Sequence, residues 1–270
     1  MIVFPNCKIN LGLFITEKRA DGFHNLETIF YPIGLSDALE IVKTDGDFEF
    51  NISGINIPSR KEDNICVKAY NLVKNKYNIG NVKMHLLKKI PVGSGLGGGS
   101  SDAVSALKIL DSLFELNMTS EKLYSFARQL GSDCSFFVDN KPKLAFEKGD
   151  KFEDIDISFK GLHLAVVVPP FAVSTAEAYK MVKTFSNRES LRKIIKLPVQ
   201  DWKYELYNDF EYTVFNRYSQ IASIKEKLYK MGALYASMSG SGSAVYGFFK
   251  EKPLMGKLKD CIVWQQVCEI

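Results

Sequence analysis

Apolar and polar residues recur along this 270-residue chain in short runs whose periods separate strands from helices. IVFPNCKINLGLFITEK mixes β-formers with polar interruptions and predicts a strand bent at Pro5. RADGFHNLET carries an Asp-Gly turn signal; TIFYPIGLSDALEIVKT then reads as a further strand pair, and DFEFNISGINI alternates in the manner of a hairpin. Between Asp63 and Tyr77 the series Ile65, Ala69, Leu72 and Val73 has helical spacing, with Asp63 or Asn64 near the cap. VKMHLLKKI (82–90) alternates as a strand. Val104, Leu107, Leu110, Leu113 and Phe114 predict a helix entered through Ser100, Ser101 and Asp102 as capping residues. A second helix, 120–130, leads into GSDCSFFV. Further on, LHLAVVVPP (162–170) reads as a buried strand stopped by two prolines. Helical segments over 175–185, 187–196 and 208–231 follow, then strand, Gly-Ser turn and strand over 233–249, and a last strand in CIVWQQV. The charged, loosely patterned EKGDKFEDIDISFK marks a boundary between domains 1–152 and 153–270. The mixture is an α+β fold.

The stretch PVGSGLGGGSS (91–101) sets five glycines between Gly93 and Gly99, where the predicted strand hands over to the predicted helix. Glycines there let backbone N–H groups converge on an anion, which the helix N-terminus also favours, and phosphate is the usual one. The alternative is a tight connection without a ligand. Gly93, Gly95 and Gly98 satisfy G-x-G-x-x-G, but the next helix runs into another helix with no βαβ return strand, against a dinucleotide fold. A Walker A loop needs GK[ST], and Gly99 follows Gly98 instead. No H-R-D loop with a later D-F-G is present, which excludes a protein kinase.

Composition narrows the partners. A formal charge of +4 suits an anionic small molecule and falls short of a nucleic-acid-binding chain. Five cysteines without C-x-x-C and three scattered histidines argue against structural zinc and for reduced thiols. With no signal-like N-terminus and no apolar run of about 20 residues, a cytoplasmic protein without membrane contact is expected. Two polar residues invite chemistry. Asp133 sits between glycine and an apolar pair, where it is either a helix N-cap or a general base. Lys8 interrupts an apolar strand, where it is either an edge lysine facing water or a paired, buried charge.

PVGSGLGGGSSDAVSAL resembles the P-x-x-x-G-L-G-[GS]-S-[SA]-x-A phosphate loop of the GHMP kinases, the superfamily of homoserine, mevalonate and galactose kinases. KINLGLFITEKRADGFHNLETIF (8–30), GSDCSFFV (131–138) and SMSGSGSAVYGFF (237–249) agree with it in order, and most closely with the branch acting on a cytidine-diphosphate sugar alcohol. The resemblance implies a ribosomal-S5-like N-terminal domain and a ferredoxin-like C-terminal domain that completes the substrate cleft. It implies ATP held by Pro91, Gly93, Ser94, Gly95, Leu96, Gly97, Gly98, Gly99, Ser100 and Ser101, with Asn64 and Lys88 lining the adenine pocket. Mg²⁺ would ride on the phosphates, with Ser101 near it and no dedicated protein cage. Asp133 would accept the substrate proton and Lys8 would pair with it; Cys134-Ser135 stands where Val-Pro is commoner. Asn10, Phe23, His24, Thr175, Tyr179, Ser239 and Gly240 would hold the substrate, Phe23 and Tyr179 sandwiching a cytosine whose edge meets His24; Tyr179 also reads as a helix-core residue. The partners are small molecules, and the chain is expected to be a monomer or weak homodimer. Another GHMP kinase acting on a small alcohol, a non-catalytic nucleotide-binding module of the same fold and a nicotinamide dehydrogenase are the rival readings.

Overall fold

A computed structural model describes residues 1–57, 60–182, 188–256, 258 and 260–268. In chain order the strands are β1 (Ile2–Val3), β2 (Asn6–Lys18), β3 (His24–Ser36), β4 (Ala38–Lys43), β5 (Glu49–Gly54), β6 (Val82–Lys88), β7 (Lys143–Phe146), β8 (Lys151–Asp154), β9 (His163–Val168), β10 (Tyr235–Met238), β11 (Val245–Phe249) and β12 (Ile262–Val267). The helices are α1 (Ile65–Tyr77), α2 (Gly98–Leu113), α3 (Ser120–Leu130), α4 (Phe136–Asp139), α5 (Thr175–Met181), α6 (Leu191–Ile194), α7 (Trp202–Glu205), α8 (Phe210–Arg217) and α9 (Ser219–Lys230). The chain packs as two units, each discontinuous in sequence. One comprises 1–8, 32–92 and 97–141; the other comprises 9–31, 93–96 and 142–270. A single cut at 152/153 does not follow this packing, because the chain changes unit inside β2 and β3 and inside the glycine loop, where no compositional shift signals it.

The first unit is built on the sheet β1-β4-β6-β5. β6 alternates buried and outward residues, and Val82, Met84 and Leu86 join Leu39 and Ile41 of β4 in a core that α1 and α2 cover with Val67, Tyr70, Leu107 and Leu110. Each of those helix residues lies on one face at helical spacing, so burying the stripe stabilises helix and sheet together. The hairpin expected over 47–57 does not form. β5 instead pairs parallel with β6, Phe50 beside Met84 and Ile52 beside Leu86. Its alternation was a sound strand signal, but alternation carries no information about the partner.

The second unit holds the sheet β10-β11-β9-β12 and most of the sheet β2-β3-β7-β8. β9 lies between β11 and β12, so its run LAVVV is buried throughout. The segment expected over 208–231 is two helices, α8 and α9, which pack Val214, Ile221 and Leu228 against Val167, Met238 and Val245. The charged boundary segment contains the antiparallel pair β7–β8, Leu144 opposite Glu153. The helical expectations over 175–185 and 187–196 are met only in part: α5 stops at Met181 with Val182 extended, and α6 is a single turn, Leu191–Ile194; residues 183–187 lie outside the described residues. No helix among the described residues is long and apolar enough to cross a membrane.

Candidate active site

In the first unit the glycine loop ends at Gly97, whose φ of 71° starts α2 without a side-chain cap. The expected capping role of Ser100, Ser101 and Asp102 therefore falls to glycine backbone. Those three lie inside the helix, Ser101 and Asp102 buried. Its first-turn amides stay available to an anion, as at any helix N-terminus.

Lys8 is buried and meets Asp133 at 3.5 Å, while the Asp133 side chain is 36% exposed. Asp133 sits in a 3-10 turn, Ser132–Ser135, between α3 and α4; it is not the cap of either helix, which removes the N-cap alternative. Cys134 and Ser135, in place of the commoner Val-Pro, keep that turn and point inward. Burial pushes the Lys8 ammonium below the usual lysine range, with Asp133 opposing the shift. A carboxylate that reaches solvent and has a buried ammonium beside it is placed to meet the proton of a hydroxyl bound outside.

The side chains of Lys88 and Asn64 are both engaged within the protein. The period that buries Val82, Met84 and Leu86 carries Lys88 inward too. Its ammonium meets Asp37 at 2.5 Å and Asp102 at 2.6 Å, and its carbonyl accepts the Ile55 N–H at 2.8 Å. Asn64 caps α1, its side chain accepting the Cys66 N–H at 2.9 Å.

In the second unit, Gly95 packs against the turn Ser239–Gly242. A Cβ there would sit 2.0 Å from the Ser239 carbonyl oxygen, so glycine is required by a protein neighbour before any ligand is considered. Ser239 Oγ donates to the Gly95 carbonyl at 3.0 Å and accepts from Asn10 N–H at 3.2 Å; the Ala244 N–H reaches the Ser94 carbonyl at 2.9 Å. Gly240 lies beside the Asn10 side chain, whose amide donates to Thr28 at 2.9 Å. Thr175, at the start of α5, shares a hydrogen bond of 3.0 Å with Ser241.

The ring facing Tyr179 is His24, stacked at 5.2 Å, and not Phe23. Tyr179 also packs edge-on to Phe210 and against the unit's core, so the helix-core reading of it holds as well. Phe23 is exposed in the turn before β3, and the Lys148 ammonium stands 5.2 Å from its ring centre. Sequence reasoning missed Lys148, Asp37 and Asp102 as members of these clusters. It also missed Asn208 and Glu211, which hold the strand entering the 239–242 turn. Asn208 donates to the Met238 and Gly240 carbonyls, each at 2.8 Å, and Glu211 accepts from Met238 N–H at 2.8 Å and Ser237 Oγ at 3.0 Å. The one local signal was the acid-and-amide run Asn208-Asp209-Phe210-Glu211 ahead of an apolar helix.

Residues 64–140 match the model of the GHMP kinases N terminal domain, and 188–262 match that of the GHMP kinases C terminal. A 4-diphosphocytidyl-2-C-methyl-D-erythritol kinase of Parabacteroides distasonis is 48% identical over 98% of both chains. One of Chlorobium phaeobacteroides is 39% identical, covering 90% of this chain and 87% of that one. Among solved structures, a 4-(cytidine 5'-diphospho)-2C-methyl-D-erythritol kinase superposes with a TM-score of 0.78 at 29% identity, over 92% of this chain and 89% of that one. The Methanococcus jannaschii mevalonate kinase shares the fold at a TM-score of 0.72 and 19% identity, over 100% and 98%.

Proposed function

Given that the chain belongs to the 4-diphosphocytidyl-2-C-methyl-D-erythritol kinases of the GHMP kinase superfamily, we propose that it transfers the γ-phosphate of ATP to the 2-hydroxyl of 4-diphosphocytidyl-2-C-methyl-D-erythritol, a step of the non-mevalonate route to isoprenoid precursors. Near-half identity along almost the whole chain carries this reading. Asp133 takes the proton of the attacking hydroxyl, and Lys8 balances the charge beside it. Amides from Gly93 to Ser101, with the N-terminus of α2, hold the triphosphate. His24 and Tyr179, with Phe23 and Lys148 nearby, recognise the cytidyl end; Asn10, Thr175, Ser239 and Gly240 complete substrate binding.

For magnesium the donor set is the test. Among the described residues no cluster of three acids, histidines or cysteines could hold a metal. A magnesium ion held mainly by phosphate oxygens and water needs no such cage, and Ser101 in the first turns of α2 is the residue that would touch it. When bound, it neutralises phosphate charge.

ADP release should be followed with 4-diphosphocytidyl-2-C-methyl-D-erythritol, mevalonate and homoserine in parallel. Turnover with the cytidyl substrate alone is expected. Equal turnover with mevalonate would hand the protein to the small-alcohol reading.

A further inference from the structure

The cluster around Lys88 is not used by the chemistry above, yet it lies at both ends of the glycine loop. Lys88 ends β6, the strand before the loop. Asp102 lies one turn into α2, the helix after it. Asp37, in the link between β3 and β4, holds Lys88 through Oδ2 while its Oδ1 accepts the backbone N–H groups of Lys89 and Ile90, at 2.5 and 2.8 Å. Thus one carboxylate fixes the outgoing strand, the other is carried by the incoming helix, and a single ammonium joins them. Gly98 belongs to the same arrangement: a Cβ there would come within 2.7 Å of Ile90 Cγ2 and 3.2 Å of Lys88 Nζ. The second glycine of the triplet is absent a side chain so that the strand end and its ammonium can pass under the helix.

Stability alone is a poor account of such a trio. Two carboxylates and one ammonium, each about 2% exposed or less, pay a desolvation cost that well-packed apolar residues would avoid. Moreover, Asp102 Oδ1 is buried without a hydrogen-bond partner among the described residues, which a purely structural carboxylate would not leave. What the trio does supply is a directional link of fixed length.

We infer that Asp102 is a positioning residue for the nucleotide loop: through Lys88 and Asp37 it ties the first turns of α2 to the end of β6 and so sets the spacing at which the loop's amides meet a phosphate. This rests on reading residues 93–101 as the ATP site. The groups facing the trio are the thiols of Cys66 on α1 and Cys7 on β2, with Cys134 further off; burial holds all three above the ordinary thiol range, so they stay neutral below pH 9. Burial, with Asp37 adding to it and Lys88 opposing, pushes the Asp102 carboxyl up to about 8.

The test compares Asp102→Asn, which keeps an oxygen for Lys88, with Asp102→Ala, which does not. Asp102→Ala is expected to raise the KM for ATP about tenfold, leaving the KM for the alcohol substrate within about twofold; Asp102→Asn should stay within about twofold for both. A folded Asp102→Ala enzyme with the wild-type KM for ATP overturns the inference. If that variant does not fold, Asp102→Ser takes its place, since a serine oxygen is too short to reach Lys88 but fills the site better than alanine. A KM for ATP raised in the serine variant and not in Asp102→Asn supports the inference; equal values in the two overturn it. Hydrogen exchange of wild type with a non-hydrolysable ATP analogue separates the two readings. Unprotected amides at 93–101 would remove the ATP site itself, whatever Asp102 does.

Discussion

Among the described residues of the first unit, Lys8 and Lys88 both meet aspartates, in arrangements that differ in almost every physical respect. Lys8 and Asp133 stand 3.5 Å apart, and the aspartate reaches solvent. Lys88 is gripped at 2.5 and 2.6 Å by two carboxylates that do not. A long, half-open pair leaves its carboxylate in reach of a group outside, whereas a short, closed one commits its ammonium to geometry. Residue type therefore says little about role; openness on one side says more.

The largest effect should come from breaking the open pair. Asp133→Asn is expected to lower kcat by about 10²–10⁴-fold with little loss of folding, checked by ADP release beside a thermal melt. A folded variant with near-normal turnover would show that Asp133 is not the base. Breaking the closed pair should do the reverse. Lys88→Met leaves the buried Asp37 carboxylate without its ammonium and should cost about 3–5 kcal/mol of stability, read from chemical denaturation. A loss below about 1 kcal/mol would mean the trio is not the tight link its distances imply.

A third comparison uses pH. Asp102 keeps in the fold a proton that the unfolded chain releases near the usual carboxylate pKa. Its favourable contribution is complete in acid and fades as pH rises through about 8. The melting temperature of wild type should fall between pH 5 and 8 more steeply than that of Asp102→Asn. Equal slopes would place the proton elsewhere.

The smallest and most discriminating pair lies in the loop. Gly95→Ala must collide with the Ser239 backbone and should destabilise the protein by about 1–3 kcal/mol. Gly99→Ala meets nothing closer than Ile65 Cγ2 at 3.8 Å, and alanine is the better helix former by up to about 1 kcal/mol. With residues 93–101 read as the ATP site, stability should hold or rise while the KM for ATP worsens, because no protein neighbour crowds Gly99. An unchanged KM would deny it that purpose.

Much of this was legible in the sequence, and for definable reasons. α1, α2 and α3 were readable because their apolar stripes and their neighbours in sequence carry the whole signal. Lys8, Asp133 and the loop were readable because their motifs are local. The trio was half readable: the two-residue period of β6 places Lys88 inside, but nothing near it names Asp37, 51 residues away. The parallel partner of β5, the passage of the chain between units and the seat of Gly95 are likewise decided by residues distant in sequence. The rings of Phe23 and His24 shared this limit: motif named both, but only folding stacks His24 on Tyr179.

The contact between Gly95 and Ser239 spans 144 residues of chain. A ribosome that has released the glycine loop has still to make its support, so for most of synthesis the loop is a length of glycine-rich chain without a seat. Closing so long a gap is entropically slow, and it comes late by necessity. A nascent or truncated chain ending before β10 can assemble Lys88 with its carboxylates but cannot seat Gly95. In this protein the glycine loop is written long before the turn that seats it.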